Sequence, residues 1–147
     1  MFKSDLFLVA LTPDLWYIAA PLVWVGSRDT ITVPAGFITD MASIPRAFRN
    51  LPLTDVNGVS RKPACVHDWI YAGERWMGKA IADDTLEEAL LSEGMSKAGA
   101  ACYYYAVKWF GQHAWNSDGR KLEGSDFKTP QLYQAWKATN PIPNPVG

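Results

Sequence analysis

The feature that most constrains this chain is a change of apolar period partway along it. Residues 6–40 carry short β-branched and aromatic runs, Leu6–Leu11, Trp16–Ile18, Leu22–Val25 and Thr30–Val33, punctuated by Pro, Gly, Ser and Asp. Runs of that kind between turn residues read as strands, and their close succession predicts an antiparallel meander. After Val33-Pro34-Ala35-Gly36 the pattern resumes briefly at Phe37–Asp40. From Pro63 onward the spacing is that of helices. Three are predicted, about Pro63–Ala72, about Ile81–Ser96 and about Ala98–Trp115, with Gly73, Gly78, Gly94 and Gly99 near their ends. Strands first and helices after them specify an α+β fold, a small N-terminal antiparallel sheet followed by a three-helix core.

A chain of 147 residues fits one domain and can bury a core without disulfides or metals. Residues 1–40 form its strand-rich part and residues 41–115 its helical core, entered through a helix start at Ser43 and Pro45. Residues 50–61 read as a loop, with Asn57-Gly58 its clearest turn. Residues 116–138 are a C-terminal extension with one short helix at Pro130–Ala138, and residues 139–147 are a Pro-rich extended tail.

Composition narrows the partners. Fourteen Lys and Arg against 15 Asp and Glu leave a net charge of −1 without a basic block, so nucleic acid is not an expected partner. Seven Trp, six Tyr and six Phe suit a core, a protein interface or a membrane-facing rim, and composition does not choose among the three. The N-terminal apolar run is broken by Asp5 and Pro13, which argues against a secretory or membrane-spanning segment and for synthesis in a cytoplasm. Cys65 and Cys102 sit far apart in apolar helical segments and are expected as buried thiols rather than a disulfide.

The chemistry-bearing residues lie on the first two predicted helices. His67 shares a face with Ala64, Ile70 and Tyr71 and should point inward, whereas Asp68 is rotated from it by about 100°. Asp83 is in register with Leu86 and Leu90, which places a carboxylate on an apolar stripe, while Asp84 lines up with Glu87, Glu88 and Leu91. Asp83 is therefore expected buried and Asp84 exposed. A buried carboxylate and a buried imidazole each need a partner, and an antiparallel hairpin of these helices would supply both by joining His67 to Asp83.

A histidine polarised by a carboxylate is general-base machinery. Asp68, with Asp40 on the irregular turn before Met41-Ala42-Ser43, offers oxygen ligands to a hard cation completed by backbone carbonyls and water. A purely structural account stands beside this one: a His–Asp bond can pin two helices, and Asp40 can cap the helix that follows. His113 reads as a capping or surface histidine, and Tyr103-Tyr104-Tyr105 as packing. Phosphate loops, zinc-type Cys/His spacing and the Gly-x-Ser-x-Gly elbow are absent from the sequence. With one histidine among the candidate ligands, zinc is the weaker metal.

Two resemblances follow. From about Phe37 to Trp115 the chain resembles an uncharacterised family of tailed bacteriophages and prophages, through Gly36-Phe-Ile-Thr-Asp-Met-Ala-Ser-Ile-Pro-Arg46, His67-Asp-Trp-Ile-Tyr71, Ala82-Asp83 and Tyr105-Ala-Val-Lys-Trp-Phe-Gly111. This implies a phage gene product, with other phage structural proteins as partners and the virion tail as its place. More remotely, His67-Asp68 with Tyr71, then Asp83, then Ala101-Cys-Tyr-Tyr-Tyr-Ala-Val107, is similar in order to the calcium-dependent phospholipase A-two enzymes. That likeness implies a helical-hairpin core, His67 as general base, Asp83 as its orienter, and Asp68 with Asp40 as calcium ligands. The glycine-rich calcium loop and disulfide framework of the secreted enzymes are missing, and Cys65 precedes His67 by two residues where the microbial enzymes have three.

The leading expectation is thus a virion or tail-associated hydrolase acting on host envelope lipid. A tail or assembly protein without catalysis is the second, and a metal-dependent peptidase or peptidoglycan hydrolase the third.

Overall fold

The computed structural model describes residues 1–13, 15–40, 58–118 and 138, with the side chain of Asp118 excepted. The helix start at Ser43 and Pro45, residues 50–57 of the expected loop, the helix at Pro130–Ala138 apart from its last residue, and the tail at 139–147 all lie outside these residues. Five strands come first: β1 Leu8–Thr12, β2 Leu15–Ile18, β3 Leu22–Val25, β4 Thr30–Val33 and β5 Ile38–Thr39. Among the described residues the helices α1 Arg61–Ala72, α2 Lys79–Ser92, α3 Lys97–Phe110 and α4 Gln112–Asp118 follow, with a short 3₁₀ turn at Arg75–Met77 before α2. The fold is α+β, antiparallel strands followed by helices.

The strands do not form one meander. β1, β2 and β5 make an antiparallel three-stranded sheet in that order, and β3 and β4 pair separately as a hairpin. The division falls at Ala19-Ala20-Pro21, where proline cannot donate to a ladder and β2 cannot continue into pairing with β3. The partner of β2 on that side is the chain beyond β4 instead. Trp16 lies opposite Thr39, and the Ile18 amide donates to the Phe37 carbonyl at 3.0 Å.

The hairpin supplies one wall of the core through simple alternation. Leu22 opposite Val33 and Trp24 opposite Ile31 are buried, while Thr30 and Thr32 face outward. These side chains pack with Ile18 and Phe37 against Cys65, Val66, Trp69 and Ile70 of α1. Phe37 meets Trp69 edge-on at 5.0 Å. A second apolar cluster, Leu86, Leu90, Met95, Ala100, Tyr103 and Val107, joins α2 to α3. α2 is thus packed on both sides, which holds its polar residues at fixed positions between α1 and α3.

Helix ends follow local chemistry. Gly73 sits at the end of α1, where the indole of Trp69 occupies the space a Cβ would need, 2.7 Å away. Ser96 accepts a hydrogen bond from the Gly99 amide at 3.1 Å and so caps α3, instead of ending α2 as the apolar pattern suggested. The third predicted helix is two, α3 and α4, divided at Gly111.

Leu90 is fully buried between α2 and α3. Leu90→Ala should cost about 2–5 kcal/mol, seen as a lower urea midpoint with an unchanged slope.

Candidate functional site

α1 and α2 run against each other, and the polar residues on their facing surfaces meet. His67 and Asp83 are each 2% exposed, and His67 Nε2 lies 3.0 Å from Asp83 Oδ1. Tyr71, one helical turn beyond His67, donates its hydroxyl to the same oxygen at 2.7 Å. Lys79, one turn before Asp83 on α2, donates to Asp83 Oδ2 at 2.6 Å. Both carboxylate oxygens are therefore occupied by donors from three side chains.

Burial alone pushes the Asp83 carboxyl up. The hydrogen bonds from His67 and Lys79, the electrostatic attraction of His67 and the Tyr71 hydroxyl outweigh it and hold the group below the ordinary carboxylate range. An ionised carboxylate only accepts, so Nε2 of His67 is the nitrogen that carries the proton. Nδ1 on the other side of the ring has no hydrogen-bond partner among the described residues. In the neutral ring it presents a lone pair whose direction is set by the Asp83 bond and by the Tyr71 ring, 4.1 Å away between centroids.

The lysine extends the cluster to the third helix. Lys79 Nζ also donates to the carbonyl of Val107 at 2.9 Å, and lies 3.4 Å from that of Lys108, in the last turn of α3. The Val107 carbonyl already accepts from the Gly111 amide that closes α3, at 2.8 Å, and this end of the helix carries the negative end of its dipole, so a cation is well placed there. Gly111 then lets the chain pass close by. A Cβ on it would stand 2.4 Å from the Val107 carbonyl oxygen and 2.9 Å from the Tyr71 hydroxyl. On the far side of Tyr71 the Trp115 ring of α4 packs edge-on at 5.1 Å, with the Arg75 guanidinium 3.9 Å over it.

The other acids are arranged differently. Asp68 points away from His67, half-buried, and accepts from the buried Thr39 hydroxyl at 2.5 Å. Asp40, next along the chain from Thr39, is exposed at the edge of β5. The Thr39 bond thus brings the end of the strand that leads into Asp40 against the helix that carries Asp68. Among the described residues no group of three or more His, Cys, Asp or Glu converges to hold a metal. Asp84 is partly exposed and pairs with Arg28 at 3.1 Å. His113 is exposed on α4. Both cysteines are free, and burial, followed by the charge of Asp68, pushes the Cys65 thiol up and leaves it protonated and unreactive.

Lys79 is the functional-site residue that sequence reasoning missed. Its signal was its position four residues before Asp83, a spacing at which side chains on one helix meet. The predicted helix start at about Ile81 hid it, because α2 starts two residues earlier than its apolar pattern does.

Residues 16–107 match the family described as "Protein of unknown function (DUF1353)". That is well over half of the chain, and the chain belongs to this family. The matched span includes Asp40, His67, Asp68, Tyr71, Lys79 and Asp83, and stops before Gly111 and α4. No curated protein and no solved structure matches the chain.

Two outcomes test the site's physics. Gly111→Ala forces backbone rather than a flexible side chain to move and should cost about 1–3 kcal/mol in chemical denaturation. Asp83→Asn should cost about 3–5 kcal/mol at neutral pH by removing the buried charge and setting an amide donor against the Lys79 ammonium in place of Oδ2. Because the folded Asp83 titrates below its unfolded value, its contribution is complete above the ordinary carboxylate range and is lost as pH falls through the depressed value. The gap in urea midpoint between wild type and Asp83→Asn should therefore be widest near neutrality and close below about pH 4.

Proposed function

We propose that this protein is a phage virion or tail-associated hydrolase acting on ester-linked lipid of the host envelope, with His67 as general base and Asp83 as its orienting partner. The observation that carries the reading is the His67 ring, with Nε2 held by Asp83 and Nδ1 left without a partner among the described residues. In the proposed step Nδ1 takes a proton from a water molecule whose oxygen attacks the ester carbonyl carbon. Asp83 stabilises the imidazolium that forms, and His67 returns the proton to the departing alkoxide, giving a free acid and an alcohol. The phage setting and the lipid substrate are what the two family resemblances imply.

Calcium is the proposed cofactor, with Asp68 and Asp40 as the residues that would hold it. Their donors are all oxygen, which suits a hard cation, but two carboxylates are fewer than the roughly six to eight oxygens calcium takes. Backbone carbonyls and water would have to complete the set. A bound calcium ion would supply Lewis-acid polarisation of the ester carbonyl.

One observation favours a second reading, a tail or assembly protein without catalysis. Lys79 ties Asp83 to the end of α3, so the cluster also braces three helices. The experiment that separates the two is calcium titration calorimetry on wild type and Asp68→Asn, with fluorescent phospholipid hydrolysis followed on the same samples and on His67→Ala. The hydrolase reading expects calcium heat that is lost in Asp68→Asn, and turnover reduced by about 10²–10⁴ in folded His67→Ala. Neither heat nor His67-dependent turnover in wild type would leave the cluster as a brace.

A further inference from the structure

We infer that the outer face of α3 is an attachment surface for anionic lipid. The helix sequence Lys97–Phe110 contains two lysines and no acidic residue, and every other residue in it is apolar, aromatic or glycine. Its inner side is buried against α2 through Ala100, Tyr103 and Val107. On the opposite side Ala98, Ala101, Tyr105 and Trp109 fall within about 80° of arc. A helix that is apolar all round belongs in a buried setting, yet Tyr105 is 45%, Trp109 66% and Phe110 57% exposed. Tyr105 stacks between Tyr104 and Trp109, at 5.2 and 5.0 Å between ring centroids, so the patch is a continuous aromatic surface.

Charge decides which occupant fits. Lys97 and Lys108 lie along one flank of the stripe, and Lys108 Nζ stands 5.3 Å from the Tyr104 ring centroid. Lysine is depleted at protein–protein interfaces, whereas lysine together with Trp and Tyr marks the lipid–water boundary. The two cations also complement anionic headgroups, although the whole chain is slightly acidic at −1. At about 1.5 Å rise per residue the 14-residue helix is about 21 Å long, too short to cross a bilayer. Among the described residues no helix is long and apolar enough to span one. The helix would therefore lie flat, with its aromatic side chains in the headgroup boundary. Its last turn is the one that Lys79 joins to Asp83, and the inference rests on the lipid reading above only in setting the surface beside a lipid-cleaving site.

The test is co-sedimentation of the full chain with vesicles of phosphatidylcholine alone and of phosphatidylcholine mixed with phosphatidylglycerol, measured without reference to turnover. The wild type should pellet with the anionic vesicles, and less so as salt rises. Trp109→Ala and Tyr105→Ala should each reduce partitioning about tenfold, and Lys97→Glu and Lys108→Glu about fivefold or more each, all with unchanged circular dichroism. Binding without hydrolysis would uphold this surface while removing the catalytic reading. Failure to pellet, or pelleting indifferent to these substitutions, would overturn it. So would a dimer in sedimentation velocity that Trp109→Ala dissolves in a chain that binds no vesicles, since the face would then cover a second copy.

Discussion

The helical half of this protein depends on one buried carboxylate. Asp83 lies on an apolar stripe of α2, where an unpaired charge would cost several kcal/mol. It is retained because His67, Tyr71 and Lys79 all donate to it. The two donors on α1 are one turn apart, so a single acceptor fixes the height of α1 along α2 and its rotation about its own axis. Displacing either helix by one residue would break two bonds to a buried charge, a penalty that hydrophobic packing alone does not impose.

Lys79 extends the constraint to α3, since the same ammonium group that pairs with Asp83 reaches the carbonyl end of that helix. Gly111 belongs to this arrangement through space: its missing side chain lets the chain turn into α4 close to the Tyr71 hydroxyl. The sheet contributes from the other side of α1, where Trp69, Val66 and Ile70 meet Trp24, Ile31 and Phe37. α1 therefore has an apolar face toward the strands and a polar contact toward α2. His67 sits where those two environments join, buried, with Nε2 bonded to Asp83 and Nδ1 enclosed without a hydrogen-bond partner among the described residues.

How much of this was legible in the sequence varies with the range of the interaction. Leu22–Val25 and Thr30–Val33 were readable because alternation is a local property of a half-buried hairpin. Pairing was not readable, because β5 reaches β2 across the hairpin and nothing in its two residues announces a partner so distant in sequence. The inward turn of His67 and the burial of Asp83 followed from helical register, and their meeting from the need of each for a partner. Lys79 was hidden by a boundary error: the apolar pattern of α2 begins at Ile81, whereas its hydrogen bonds begin earlier, at Lys79 after Gly78 with φ of 84°. The break at Gly111 was missed for a related reason. The apolar period runs on through Trp115, and the requirement for glycine comes from Tyr71 on another helix.

In the functional account Asp83 selects which nitrogen of His67 holds the proton, and so which one can act as a base. Nitrogen-15 NMR of the His67 ring at neutral pH tests this directly, with assignment by His67→Gln. The account predicts a neutral ring protonated on Nε2, with Nδ1 showing the shift of an unprotonated nitrogen. A ring protonated on Nδ1, or on both nitrogens, would contradict it, because the lone pair assigned to the attacking water would not exist.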